Sequence, residues 1–211
     1  MRTQNERKLT ARHASSSGRT NHHASHEVIC LKIVLNEINP PVWRRVLVTA
    51  DTPLSDLHLI IQSTMGWMNE ASHYFIKDSA KLSPRGAHRH PRSGTHLSYR
   101  ESHVSDIFSS PGDTVIYTYS SGDGWSHRLI YEESVSHDEP AEYPKCIGGA
   151  RACPPENCNS IIGYLYLLEA LGNPFHPEHE YILNRFGAYD PDTFSKTDIN
   201  ERYREDNYGC Y

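Results

Sequence analysis

The chain has 211 residues, 37% of them hydrophobic, and a net charge of −5. That length supplies one core of ordinary size beside a tail, and no apolar run reaches the roughly 18–20 residues of a membrane-spanning helix, which sets a membrane role aside. The charge is split: residues 1–26 carry Arg2, Arg7, Lys8, Arg12 and Arg19 against Glu6 alone, and the remainder is acidic enough to oppose nonspecific binding to a nucleic-acid duplex.

The first 26 residues are rich in Ser, His, Thr and Asn and have almost nothing to bury, so a disordered basic tail is expected ahead of one domain over 27–211. Such an arm either touches nucleic acid or is a leader without a role. No secretory signal is visible and the five cysteines are an odd number, which points to reduced thiols in a cytoplasm.

Residues 27–38 alternate Val28, Cys30, Lys32 and Val34 with Ile29, Leu31, Ile33 and Leu35, so both faces are largely apolar and a central strand is expected. Asn39-Pro40-Pro41 breaks it, and 42–49 form a second strand with Trp43, Arg45, Leu47 and Thr49 opposing Val42, Arg44, Val46 and Val48. The link is short, so the two form an antiparallel hairpin. A helix follows, with Thr52 as N-cap, Pro53 at its first position, Leu54, Leu57, Ile60, Ile61 and Met65 on one side and Gly66 as its stop. His73–Lys77 reads as a strand. Residues 78–100 have no period, several breakers and five basic residues without an acid after Asp78, and read as a long surface loop. A short helical turn at 104–108 precedes a second hairpin, 114–119 with 125–133, closed by Gly122-Asp123-Gly124. A Cys- and Pro-rich loop then feeds an apolar helix over 160–171. Further helices start at Pro177 and Lys196. Short links between strands argue for an α+β fold with an antiparallel sheet and packed helices.

Asp123, at the hairpin turn, and His127, just beyond Trp125, form one candidate constellation. A carboxylate beside an imidazole orients it and raises its pKa, as in general-base or metal sites. The alternative is a turn residue, a core Trp and a hydrogen-bonded strand His. Glu156 would complete a carboxylate pair able to act as acid and base or to hold magnesium. Alternatively, it serves the first turn of the helix at Ser160. Cys146, Cys153 and Cys158, spaced x6 and x4, suggest zinc but lack a tight knuckle; a fourth ligand would be His127, His137, His176 or Cys210. Otherwise they are packed free thiols. The run His176-Pro177-Glu178-His179-Glu180 lacks a HExxH pattern and reads as a solvated helix start. Arg44 and Arg45 either bind phosphate or pair with carboxylates.

Three segments carry a family resemblance: Pro41-Val42-Trp43-Arg44-Arg45, Tyr119–Gly124 with Trp125 and His127, and Pro154-Pro155-Glu156-Asn157-Cys158. In order and spacing they resemble the plasmid pRiA4b ORF-3-like family, which is related to the insertion-sequence passenger protein TnpR. Members read Tyr-Asp-Phe-Gly-Asp-Gly-Trp-x-His in the second segment; here Ser120-Ser121 replace Asp-Phe. They read Asp-Cys-Gly-Gly in the third; here Asn157, Asn159 and Ser160 stand instead. The resemblance implies an α/β-roll-like arrangement and a mobile-element setting. The expected function is an accessory or interaction domain that contacts nucleic acid or a protein partner. The competing expectation is a metal-assisted hydrolase or nuclease-like enzyme using Asp123, His127 and Glu156 with zinc or magnesium.

Overall fold

The computed structural model describes residues 27–84, 86–87, 98–119, 124–136, 141–187 and 189–205. The expected tail, 1–26, lies outside them. The fold is α+β, built on one antiparallel sheet. Its strands are β1 (Val28–Leu35), β2 (Trp43–Thr49), β3 (His73–Lys77), β4 (Ala80–Ser83), β5 (Gly86–Ala87), β6 (Thr114–Tyr119), β7 (Trp125–Val135) and β8 (Lys145–Ala150), in the order β5-β4-β3-β6-β7-β1-β2-β8. β1 is central, between β7 and β2, and this is why both its faces are apolar. Ile29, Leu31, Ile33 and Leu35 face the main core with Val46 and Val48 of β2, while Val28, Cys30 and Leu47 form a small cluster on the opposite face. Five helices, α1 (Leu54–Met65), α2 (Val104–Ile107), α3 (Ile161–Gly172), α4 (His179–Phe186) and α5 (Lys196–Glu205), contribute buried side chains to the main core.

The period-2 register decides the fate of the two arginines. Ile33 pairs with Arg44 and Lys32 with Arg45. Arg44 therefore points to the core face and is buried, whereas Arg45 points away and pairs with Glu132, its Nη2 lying 3.0 Å from Oε1. The same alternation sends Val115, Tyr117 and Tyr119 of β6, and Trp125, His127 and Leu129 of β7, into the core.

Several local expectations are corrected. The N-cap of α1 is Pro53, without a side-chain hydrogen bond; Pro53 is held extended by a bridge to His103, so Thr52 falls outside the helix. Gly66 stops α1 in the left-handed conformation, φ 75°. The segment read as a loop from residue 78 contains β4 and β5. Asp78 and Ser79 both take positive φ, 46° and 73°, and make the two-residue turn that pairs β3 with β4. Most of its basic part, Arg85 and 88–97, lies outside the described residues. β8 has no alternation to betray it: its Gly149 allows close approach, since a Cβ there would stand 2.4 Å from the Phe194 ring and 2.8 Å from the Trp43 carbonyl oxygen.

At the start of α3, Ser160 is extended and its hydroxyl accepts from Gly163 N at 3.2 Å. Asn159, where the family carries glycine, takes φ 64°. The second lost glycine costs no backbone strain, because the cap position needs none.

Candidate functional site

β6 and β7 close toward the turn with Tyr119 opposite Trp125. Asp123 and Gly122 lie outside the described residues. Beneath this end sits Trp67, just past α1. Its ring lies 5.4 Å from the rings of Tyr119, Trp125 and His127, and its Nε1 donates to the Pro154 carbonyl at 2.9 Å. Trp67 thus ties the hairpin to the Cys/Pro loop, where Glu156 occupies a 3-10 turn (Glu156–Cys158).

Glu156 is the hub of the polar contacts. One carboxylate oxygen accepts from the Tyr119 hydroxyl and the other from Met68 N at 2.6 Å. The Tyr119 hydroxyl in turn accepts from Glu70 N at 2.8 Å and Ala71 N at 3.2 Å. Burial, with Glu156 beside it, pushes the Tyr119 pKa up to about 12, so it acts as a fixed donor. These groups border a cleft of about 590 Å³ that also touches Glu70, Trp125, Asn157 and Asn159. Glu156 does not cap α3, where the Ser160 hydroxyl has that role. The arrangement positions carboxylates and side-chain amides over an aromatic floor, suited to recognising donor groups. Tyr119→Phe is expected to cost about 1–3 kcal/mol, because one change strands a carboxylate oxygen and two main-chain N–H groups; urea unfolding measures it.

His127 is not in this cleft. It is fully buried, and neither ring nitrogen makes a hydrogen bond of acceptable geometry. Burial lowers its pKa to about 3, only partly opposed by the Tyr117 carbonyl. The direction is that of desolvation, which disfavours the protonated ring; Asp123, the carboxylate expected to raise it, lies outside the described residues. Glu156 and Trp125 come together at the hairpin mouth, and His127 does not join them.

The cysteines do not gather either. Cys146 contacts the Gly148 carbonyl, Cys153 meets Arg44 and Met65, and Cys158 is buried with its pKa pushed up to about 11 by burial. All four described cysteines are free, and among the described residues no group of three His, Cys, Asp or Glu is placed to hold a metal ion. Each described thiol has its own neighbours, and His137 and Cys210, two of the candidate fourth ligands, lie outside the described residues. His179 is occupied by the Ala170 carbonyl at 2.8 Å. No described helix is long and apolar enough to cross a membrane.

Trp67 and Met68 are members of this site that the spacing of chemical residues did not flag. The one available signal was an apolar Trp-Met directly after the Gly66 helix stop.

The family model described as plasmid pRiA4b ORF-3-like protein matches residues 27–198. An uncharacterized protein, y4hQ, from Sinorhizobium fredii is 32% identical over 170 residues, 79% of this chain and 84% of that protein. The crystal structure of MM3350, a protein of unknown function from Methanosarcina mazei Go1, superposes with a TM-score of 0.72 at 30% identity, covering 82% of this chain and 97% of that one. The matched span holds the Trp43-Arg44-Arg45 strand, the second hairpin and the Glu156 turn, and the chain belongs to the plasmid pRiA4b ORF-3-like family.

Proposed function

We propose that the chain is an accessory interaction domain whose working surface is the outer face of α3 and α4 and whose partner is a protein. One observation carries this reading. Six of the eight exposed large apolar side chains among the described residues fall in one stretch: Ile162, Leu165, Tyr166, Phe175, Tyr181 and Leu183. α3 buries Tyr164, Leu167 and Ala170 on one side and turns Ile162, Leu165 and Tyr166, three and four residues apart, to the outside. Exposed apolar side chains concentrated in this way mark contact sites rather than solvated faces. A protein suits it better than a nucleic-acid backbone, since the surface offers few cations and the chain after residue 26 is acidic. Residues 27–211 act as one unit in this reading, and an accessory role fits the mobile-element setting that the relation to TnpR implies.

The hydrolase reading, with Asp123, His127 and Glu156 in one site, is weaker. His127 is sealed in an aromatic core and makes no hydrogen bond with Glu156. A photo-crosslinker placed at Leu165 in the full chain tests the favoured reading. The expected result is a discrete protein adduct that Phe175→Ser and Ile162→Glu both suppress, with a control crosslinker at Thr114 silent. Adducts unaffected by those substitutions, or formed only with nucleic acid, would overturn it.

A further inference from the structure

A second cleft, of about 600 Å³, lies between the end of α1 and the start of α5 and shares Gly66 with the lining of the first. Its inner wall includes Arg44, which β2 directs into the core. Arg44 is 3% exposed, and a guanidinium stays protonated at any accessible pH. Its contacts are all with formally neutral groups. Nη1 donates to the carbonyls of Trp43 and Ala150 at 2.8 and 2.9 Å, and Nη2 donates to the Cys153 sulfur at 3.0 Å. The Phe194 ring stands 4.8 Å away. Three of five N–H groups are thus used, and Nε, buried, has no acceptor. Among the described residues no carboxylate forms an ion pair with Arg44. A buried cation without a counter-charge is unfavourable unless something supplies one.

Arg202 of α5 lines the same cleft. It spends Nε on the Ser63 carbonyl at 3.0 Å and, among the described residues, likewise forms no ion pair. Arg44 reaches the cleft beside Cys153, and Arg202 reaches it at the end of α1, its guanidinium carbon 3.9 Å from where a Cβ on Gly66 would stand. The acid on the lining is Asp198, held by the Ser195 hydroxyl at 2.6 Å. Two cations against one anion leave a single positive charge to be met. Met65, Phe194 and Ile199 give the cleft an apolar side.

We propose that this cleft binds a small organic carboxylate, its charged end between Arg44 and Arg202 and its apolar body against Phe194 and Ile199. A monoanion balances the residual charge, whereas a dianionic phosphate overshoots it beside Asp198. The planar guanidinium fork matches a carboxylate, and the volume is that of a small-molecule site. The inference rests on observations separate from the α3–α4 surface.

Benzoate is the probe, with the full chain, at constant ionic strength. The expected result is a saturable rise in the thermal midpoint, none with neutral benzamide and a smaller one with inorganic phosphate. Arg202→Gln should weaken benzoate binding about tenfold or more in calorimetric titration. Asp198→Asn, which keeps the size and removes the repelling charge, should tighten it. No benzoate effect, an equal effect of benzamide or phosphate, or unchanged affinity in both variants would overturn the proposal.

Discussion

Lowering the pH from about 7.5 to about 5 is expected to remove about 4 kcal/mol of folding stability through His58 and His127 alone. His127 is fully buried with its pKa lowered to about 3, and His58 is buried with its pKa lowered to about 4; burial is the main cause for both. His58 is also wired for the neutral ring. Its Nε2 meets the acceptor-only Asn69 Oδ1 at 2.7 Å, so Nε2 carries the proton and Nδ1 accepts from the Tyr117 hydroxyl at 2.8 Å. His73 stacks on it, ring centroids 3.4 Å apart, and its own pKa falls to about 3 through burial and the neighbouring His58 charge.

In the unfolded chain these rings titrate near the ordinary value of about 6.5, so below that pH the unfolded state binds more protons than the folded one. Their contribution is complete above about 6.5 and is lost as pH falls from there toward about 4 and 3. The carboxyls of Asp113 and Glu132, whose pKa values are lowered by hydrogen bonds, act only at lower pH, so the window from about 6.5 to about 5 belongs to the histidines. Urea unfolding at several pH values measures the effect. His127→Leu should remove about 2 kcal/mol of the decline. Stability that stays flat between about 6.5 and 5 would contradict the buried, neutral state of these rings.

Trp125→Ala is the substitution with the largest expected cost, about 3–5 kcal/mol. The side chain is 1% exposed, packs on Trp67 with ring centroids 5.4 Å apart and pairs across the sheet with Tyr119. Its loss opens a cavity where the hairpin, the residues after α1 and the Cys/Pro loop meet. The Glu156 cleft should loosen with it, because Tyr119 loses a neighbour on which its hydroxyl geometry depends. Chemical denaturation gives the stability change, and a loss below about 1 kcal/mol would show that Trp125 is not the anchor of this hairpin.

The apolar alternation of β1 was readable from residues 27–38 because a central strand buries both faces and leaves a long, regular run. The second hairpin and α3 were readable for similar reasons: a Gly-Asp-Gly turn between alternating segments, and a Ser cap before an apolar run. β8 was not, because two glycines and a cysteine selected for close packing carry no period. The pair β3–β4 was hidden by a turn of Asp78 and Ser79, residues that take positive φ less readily than glycine. The candidate site was half legible. Glu156 and Trp125 do share the hairpin mouth, but whether a strand His faces a cleft or a core depends on what covers the sheet there. Trp67, the residue that covers it, comes from a segment without any pattern. The opposite fates of Arg44 and Arg45 were implicit in the strand period; that the inward one would lack a carboxylate was not.

The strand order has a consequence for how the chain acquires its structure. β1 pairs with β2 across a few residues, and β6 with β7 across a short turn, so each hairpin closes locally. The two are joined only when β1 finds β7, aligning Val28 with Val135. This long closure must be paid in chain entropy before the central pair returns any burial. Folding is therefore expected to be limited by the meeting of two preformed halves, with the seam between β1 and β7 as the transition state's decisive contact and the outer helices settling afterwards.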